Sequence, residues 1–148
     1  MDQPRDPRSS RRTLTLGVGT LTLADLRDIY HGEVDGALDE AALPAIAASR
    51  TLVQRIADGD EAVYGINTGF GKLAQTKIPH DRLAELQRNL VQSHSAGIGA
   101  PLPTGVVRLV LVTKAHALAR GFSGVNVETV RALIALANAG VLPRIPCK

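Results

Sequence analysis

The stretch TGVVRLVLVTKAHALAR, residues 104–120, sets the fold class, because apolar side chains fall on nearly every side of the helix that it predicts. Thr104 is the predicted N-cap of this helix, and Gly121 follows its last turn. A helix with so little polar circumference is stable only when other elements surround it. The sequence therefore predicts a helix that is buried nearly all round, by helices from elsewhere in the protein or from other subunits.

Further helices are predicted before and after this stretch. A short one opens at Thr22 or Leu23 and is closed by Gly32. Capping residues, helical spacing and terminating glycines indicate longer helices from Asp39 to about Ala57, from near Asp81 to His94, and from Asn126 to about Asn138. Aromatic residues make up only 3% of the chain, which disfavours an extensive sheet. The predicted fold class is mainly α.

A short β element is predicted near residues 13–23. Thr13 to Leu16 alternate with period two, and Leu21 to Leu23 could pair with them across Gly17 to Gly19 as a hairpin. Residues 1–12 are rich in Pro, Ser, Asp and Arg without apolar periodicity, which is typical of a disordered tail. The predicted organisation is a disordered basic tail, 1–12, and one folded unit, 13–148.

Charge and composition exclude several classes of function. The net charge is +3, but residues 1–12 carry +2 of it, and no basic stretch is interleaved with aromatic residues as in nucleic-acid surfaces. No apolar run approaches the roughly 20 residues that span a bilayer. Cys147 is the only cysteine, which excludes an internal disulfide and fits a reducing cytoplasm. His31, His80 and His116 lack ligand spacing, so no metal site is predicted.

A loop with three glycines, Tyr64-Gly-Ile-Asn-Thr-Gly-Phe-Gly71, is the strongest candidate for a functional segment. A phosphate-binding P-loop is excluded because Ile66 stands where its first glycine belongs and Leu73 where Ser or Thr should bind magnesium. Gly69 to Ala74 matches a loose dinucleotide fingerprint, but no acidic residue follows at the required distance in a strand–helix–strand unit.

Three motifs together carry a resemblance to a known family. They are Tyr64 to Gly71, LQRNLVQSHSAGIG at residues 86–99, and Gly121-Phe-Ser-Gly-Val125. In order and spacing they resemble the aromatic amino acid ammonia-lyases, and most closely the histidine-specific branch. The resemblance runs from about Leu14 to Lys148 and corresponds to the first third or less of a family member. It implies the N-terminal part of a mainly α-helical, fumarase/aspartase-like fold that assembles as a homotetramer.

The resemblance also implies a chemistry. Such enzymes remove a carbon-bound proton and expel the amine, using a methylidene-imidazolone (MIO) that forms autocatalytically from an internal Ala-Ser-Gly. It assigns Tyr64 as the base, Gly71 to a position whose backbone lies near the substrate, and His94 of the Ser93-His94 pair to the substrate imidazole. The expected reaction converts L-histidine to urocanate and ammonia in the cytoplasm. A tyrosine- or phenylalanine-specific relative remains the alternative within the family.

This sequence departs from the family pattern in one chemical respect, because it contains no Ala-Ser-Gly. Leu142 to Lys148 resembles the family's approach to its cofactor loop, so the chain is expected to stop just before the segment that makes MIO. No cofactor-binding residue is therefore assigned here, and the chain alone is expected to be inactive. A fragment, one polypeptide of a split enzyme, and a non-catalytic helical interaction module are the open explanations.

Overall fold

The computed structural model describes residues 11–148. Within these residues the chain forms five α-helices and two short strands, and the mainly α prediction is confirmed. In chain order they are β1 (Arg12–Leu16), α1 (Leu23–His31), β2 (Val34–Leu38), α2 (Leu43–Asp58), α3 (Leu83–His94), α4 (Thr104–Ala119) and α5 (Val127–Ala139). Three 3-10 turns lie at Glu40–Ala42, Gly71–Leu73 and His80–Arg82.

The predicted hairpin is wrong, because β1 pairs in parallel with β2 rather than with Leu21 to Leu23. Helix α1 forms the crossover between the two strands, as a parallel pair requires. Thr22 caps this helix: its Oγ1 accepts from the N–H of Asp25 at 3.1 Å, and its own N–H donates to the Asp25 carboxylate at 2.9 Å. This capping box starts a helix where the alternation suggested a strand.

The core lies where α4 and α5 pack against each other and against the β1–α1–β2 unit. Its least exposed apolar side chains come from β1, α1, α2, α4 and α5, and each is at most 2% exposed. They are Leu16, Ile29, Ile46, Val107, Ala115, Ala119 and Val130. The interior is therefore aliphatic, as the low aromatic content predicted.

Helix α4 is buried on one face only. Leu111 and Ala115 are buried, whereas Val110 is 44% exposed and Ala117 is also exposed. Within residues 11–148 the Val110 side thus stays open, and the prediction that helices from elsewhere in the protein or from other subunits cover it stays a prediction. Thr104 is the first residue of the helix rather than its cap, which is Pro103.

The described chain begins with two arginines in ion pairs. Arg12 is the first residue of β1, one residue before the predicted start of order, and its guanidinium lies 2.9 Å from both Asp25 and Asp28. Hydrogen bonds from Thr22, followed by the bond from Arg12, lower the pKa of Asp25 to about 2. Arg11 pairs with Asp35 at 3.3 Å. The rest of the predicted tail, 1–10, lies outside the described residues.

Two properties of residues 11–148 concern membranes and metals. None of the helices there has the length and apolar character that a bilayer crossing requires. Nor do those residues bring three or more His, Cys, Asp or Glu side chains together as a metal site would.

Candidate functional site

Tyr64 lies in the long connection between α2 and α3 and projects into solvent. Its side chain is 63% exposed, and its ring meets the ring of Phe70 edge-on with centroids 6.0 Å apart. Phe70 immediately precedes Gly71, the second residue that the resemblance assigns to the site. Because most of this residue is exposed, the hydroxyl of Tyr64 is accessible to a ligand that binds next to the loop.

Asn67 connects this loop to the rest of the fold, although it was not among the predicted site residues. The residue is completely buried, and its Oδ1 accepts from the N–H of Val63 at 2.8 Å. Its Nδ2 donates to the carbonyls of Ile56 at 3.0 Å and Glu61 at 2.9 Å. An asparagine between glycines in a turn-rich segment often bonds to nearby backbone, which was the available signal.

The second half of the loop folds back on the first. Ile78 donates its N–H to the carbonyl of Asn67 at 2.8 Å, and Thr68 forms an antiparallel bridge with Lys77. Gly71 then starts a 3-10 turn with φ +59°, a backbone region that favours glycine. Among residues 11–148, no atom beyond its chain neighbours lies within 4 Å of the place where a Cβ would stand at Gly71. The backbone there is therefore open to a ligand.

His94 is the last residue of α3, and its side chain is exposed. The Nδ1 atom lies 2.9 Å from the carbonyl oxygen of Leu90 and 3.0 Å from Oγ of Ser93. Because a carbonyl can only accept, the contact with Leu90 puts the proton on Nδ1. The neutral ring then carries its lone pair on Nε2, which can accept a hydrogen bond from a ligand.

The segment after α3 is paired with the C-terminal residues of the chain. Leu102 donates its N–H to the carbonyl of Ile145 at 2.8 Å, and Lys148 donates to that of Ile98 at 3.0 Å. Pro146 rests directly on Gly97, where an added Cβ would collide with the proline ring. The residues that resemble the approach to a cofactor loop thus lie beside the end of the helix that carries His94.

The predicted site residues fall into two groups. Tyr64 and Gly71 share one loop, whereas His94 belongs to α3, and no hydrogen bond or ring contact joins it to Tyr64 within residues 11–148. Helix α3 has no buried residue, and its predicted apolar face, Leu83, Leu86 and Leu90, is half-buried. The chain therefore offers a phenol and an imidazole, which suit proton transfer and ligand binding.

Comparison with solved structures places this helical arrangement in one class of enzymes. Tyrosine aminomutase from Streptomyces globisporus superposes with a TM-score of 0.84 at 28% identity, over 90% of this chain and 26% of that one. Histidine ammonia-lyase from Trypanosoma cruzi superposes with a TM-score of 0.80 at 36% identity, over 90% and 26% of the two chains. The fold is that of the aromatic amino acid lyases and aminomutases.

Sequence comparison gives the family. The family model for aromatic amino acid lyase matches residues 21–148, and the chain belongs to this family. It is 63% identical over 140 residues to histidine ammonia-lyase from Paracidovorax citrulli, covering 95% of this chain and 27% of the relative. It is 51% identical to histidine ammonia-lyase from Salmonella typhimurium, over 92% of this chain and 27% of that relative. The chain thus spans about a quarter of the length of these curated relatives. The family is known for the MIO cofactor.

Proposed function

We propose that this chain supplies the base and the imidazole contact of a histidine ammonia-lyase, which eliminates ammonia from L-histidine to give urocanate. The proposal depends on one observation: Tyr64 is 63% exposed, and it lies on a loop whose backbone is held by hydrogen bonds from Asn67. The high identity to curated histidine ammonia-lyases supports it. A cytoplasmic location and a homotetramer belong to the same proposal.

Tyr64 acts as the base in this proposal. The proton on the carbon that bears the imidazole ring moves to Oη of Tyr64, the C–H electrons form the new double bond, and the amine leaves the neighbouring carbon with its electron pair. A free tyrosine has a pKa near ~10. Its phenolate must therefore be stabilised by donors or positive charge when the enzyme is assembled.

MIO, when present, supplies an electrophile that makes the amine a better leaving group. This chain has no Ala-Ser-Gly from which the group could form, so another part of the enzyme must provide it. The pairing of Ile98 to Leu102 with Ile145 to Lys148 supports this division, because it holds the approach to the cofactor segment beside the end of α3. The open backbone at Gly71 leaves room for substrate on the Tyr64 side. The isolated chain is accordingly inactive.

In this proposal His94 binds the imidazole ring of the substrate through a hydrogen bond. Its Nδ1 proton is engaged with Leu90, so Nε2 accepts a hydrogen bond from the N–H of the substrate imidazole. A tyrosine hydroxyl could donate to the same atom, and the similarity to tyrosine aminomutases keeps a tyrosine substrate as the second candidate. Phenylalanine has no ring donor, so Nε2 gives it no such contact.

A chimeric enzyme tests the proposal. Residues 11–148 replace the matching quarter of the Paracidovorax citrulli relative, and histidine turnover is followed by the ultraviolet absorbance of urocanate. We expect the assembled chimera to be active, and the 148-residue chain and the remainder of the relative each to be inactive alone. Tyr64→Phe lowers kcat by about 10²- to 10⁴-fold, the usual contribution of a positioned base. An assembled but inactive chimera would favour the non-catalytic interaction module, whereas normal turnover by Y64F would show that Tyr64 is not the base.

Substrate selection is tested at His94 in the same chimera. His94→Leu removes the acceptor, and kcat/KM for histidine should fall roughly ten- to hundredfold, as expected for one lost hydrogen bond. Gln92→Leu changes an exposed side chain on the same helix and serves as the control. Unaltered histidine turnover by H94L would remove His94 from the site. A larger loss with tyrosine than with histidine would support the tyrosine alternative.

A further inference from the structure

We propose that Asn67 is the positioning residue of Tyr64, and this inference rests on the proposed function. Asn67 is completely buried three residues after the phenol, and its amide bonds to three backbone groups. All three lie before Tyr64 in the chain, on Ile56, Glu61 and Val63. The buried amide thereby sets the path by which the backbone reaches Tyr64.

The contact with Val63 is the closest of these to the phenol. Val63 directly precedes Tyr64, and its N–H donates to Oδ1 of Asn67 at 2.8 Å. The next residue, Gly65, has φ +81°, so the chain turns sharply on the other side of Tyr64. With the backbone fixed at Val63, the Cα–Cβ direction of Tyr64 has little freedom. The carbonyl of Val63 also accepts from the N–H groups of Ile66 at 3.1 Å and Asn67 at 3.3 Å, so the turn persists without that bond. The N–H of Val63, however, then has no partner among residues 11–148, and the residue before Tyr64 is held less firmly.

The amide donors of Asn67 do more than finish helix α2. The carbonyl of Ile56 accepts from the N–H of Gly59 at 3.1 Å as well as from Asn67 at 3.0 Å. The helix end therefore keeps a partner if Asn67 is lost. The bonds to Val63 and Glu61 have no such substitute among the hydrogen bonds of residues 11–148. Loss of the amide thus loosens the loop more than the helix.

The ring of Tyr64 has a separate support in Phe70. Their edge-on contact restrains the side chain, and Phe70 follows Asn67 by three residues across Gly69. Asn67 also anchors this second half of the loop, because its carbonyl accepts from the N–H of Ile78 at 2.8 Å. The bond from Ile78 uses the main-chain carbonyl, which alanine retains, so Asn67→Ala acts on the phenol through the side-chain bonds to Ile56, Glu61 and Val63. A displacement of about 1 Å at a reacting group can cost about a hundredfold in rate.

Kinetics of the chimera test the role. We expect Asn67→Ala to lower kcat by roughly a hundredfold while KM for histidine changes little, because binding is left in place and only the base is displaced. The matched control is Asn138→Ala, since Asn138 also makes two bonds to backbone, accepting from the N–H of Gly36 at 2.8 Å and donating to its carbonyl at 2.9 Å. N138A should leave kcat unchanged.

Asn67→Asp supplies a rescue. The carboxylate still accepts from Val63, but it faces the carbonyls of Ile56 and Glu61, which raises its pKa. Once protonated, it donates to one of them again. The ratio of kcat for N67D to kcat for the unsubstituted chimera should therefore rise as the pH is lowered, and N67A should show no such rise. A flat ratio for N67D contradicts the proposal.

Fluorescence of the 148-residue chain gives a readout that does not need activity. The sequence has two tyrosines and no tryptophan, so Tyr30→Phe leaves Tyr64 as the sole tyrosine emitter. Adding N67A should lower the anisotropy of that emission, and adding N138A should not. If the anisotropy and kcat of N67A both stay within about twofold of the unsubstituted values, the inference about Asn67 is wrong, even when the chimera is active. If the unsubstituted chimera is inactive, the proposed function is refuted instead. The anisotropy then still tests whether Asn67 restrains Tyr64.

Discussion

At the level of single residues, one imidazole fixes the turn that follows β1. The N–H of Gly17 donates to Nδ1 of His116 at 3.2 Å, which requires that nitrogen to be unprotonated. Burial, and then the charge of Arg120, lower the pKa of His116. The turn has no room to adjust, because an added Cβ at Gly17 would lie 2.9 Å from Ala42 and 3.0 Å from Ala119.

Stability should therefore depend on the protonation of His116. Its pKa in the folded chain is lower than the ordinary value of about 6.5, so the unfolded state takes up the proton first. The hydrogen bond between Gly17 and His116 therefore stabilises the fold above about pH 6.5, and this stabilisation is lost as the pH falls from there through the lower pKa of folded His116. In His116→Asn, Oδ1 keeps an acceptor near the position of Nδ1 but does not titrate.

Thermal unfolding at several pH values measures this effect. Between about pH 8 and about pH 5, the midpoint of the unsubstituted chain should fall more steeply than that of H116N. His31→Asn removes an exposed histidine and should retain the steep fall. Parallel curves for H116N and the unsubstituted chain would show that the bond to Gly17 does not control the acid response.

At the level of elements, the sequence predicted best what is encoded locally. Asn126 was the expected cap of α5, and its Oδ1 accepts from the N–H of Thr129 at 3.1 Å. Thr22 and Gly32 likewise bound α1 as expected. Each of these signals involves residues within one turn of each other. The pairing of β1 with β2 instead joins segments about twenty residues apart, and strand alternation carries no information about the partner.

In the candidate site, too, some features could be predicted from the sequence and others could not. Tyr64, Gly71 and His94 could be named because motifs mark side chains and glycines. For Asn67 the sequence indicated only that an asparagine between glycines often bonds to nearby backbone; which backbone groups it binds could not be predicted, because every residue carries them. The pairing of residues 98–102 with 145–148 was also missed, since glycines and prolines predict only that helices end there.

At the level of the whole molecule, α4 has a face, apolar except for Lys114, that the described chain leaves open. Val110 is 44% exposed and Ala117 is exposed, while Val106 and Leu109 are half-buried. An apolar stripe of this kind in the middle of a helical family member needs a cover. The curated relatives are about four times as long as the part matched here, so the remaining chain and further subunits are the expected cover.

Val110→Lys compared in two contexts tests this expectation. In the 148-residue chain the lysine can reach solvent, so the unfolding midpoint should change little, as for other surface substitutions. In the chimera the same lysine would be buried without a partner, at a cost of about 3 kcal/mol or more, and assembly measured by size-exclusion chromatography should fail. Lys114→Gln, at an exposed position one turn further along α4, is the control and should assemble normally. If V110K assembles as well as K114Q, the face remains open in the complete enzyme, and the helix owes its apolar composition to something other than contact with the rest of the protein.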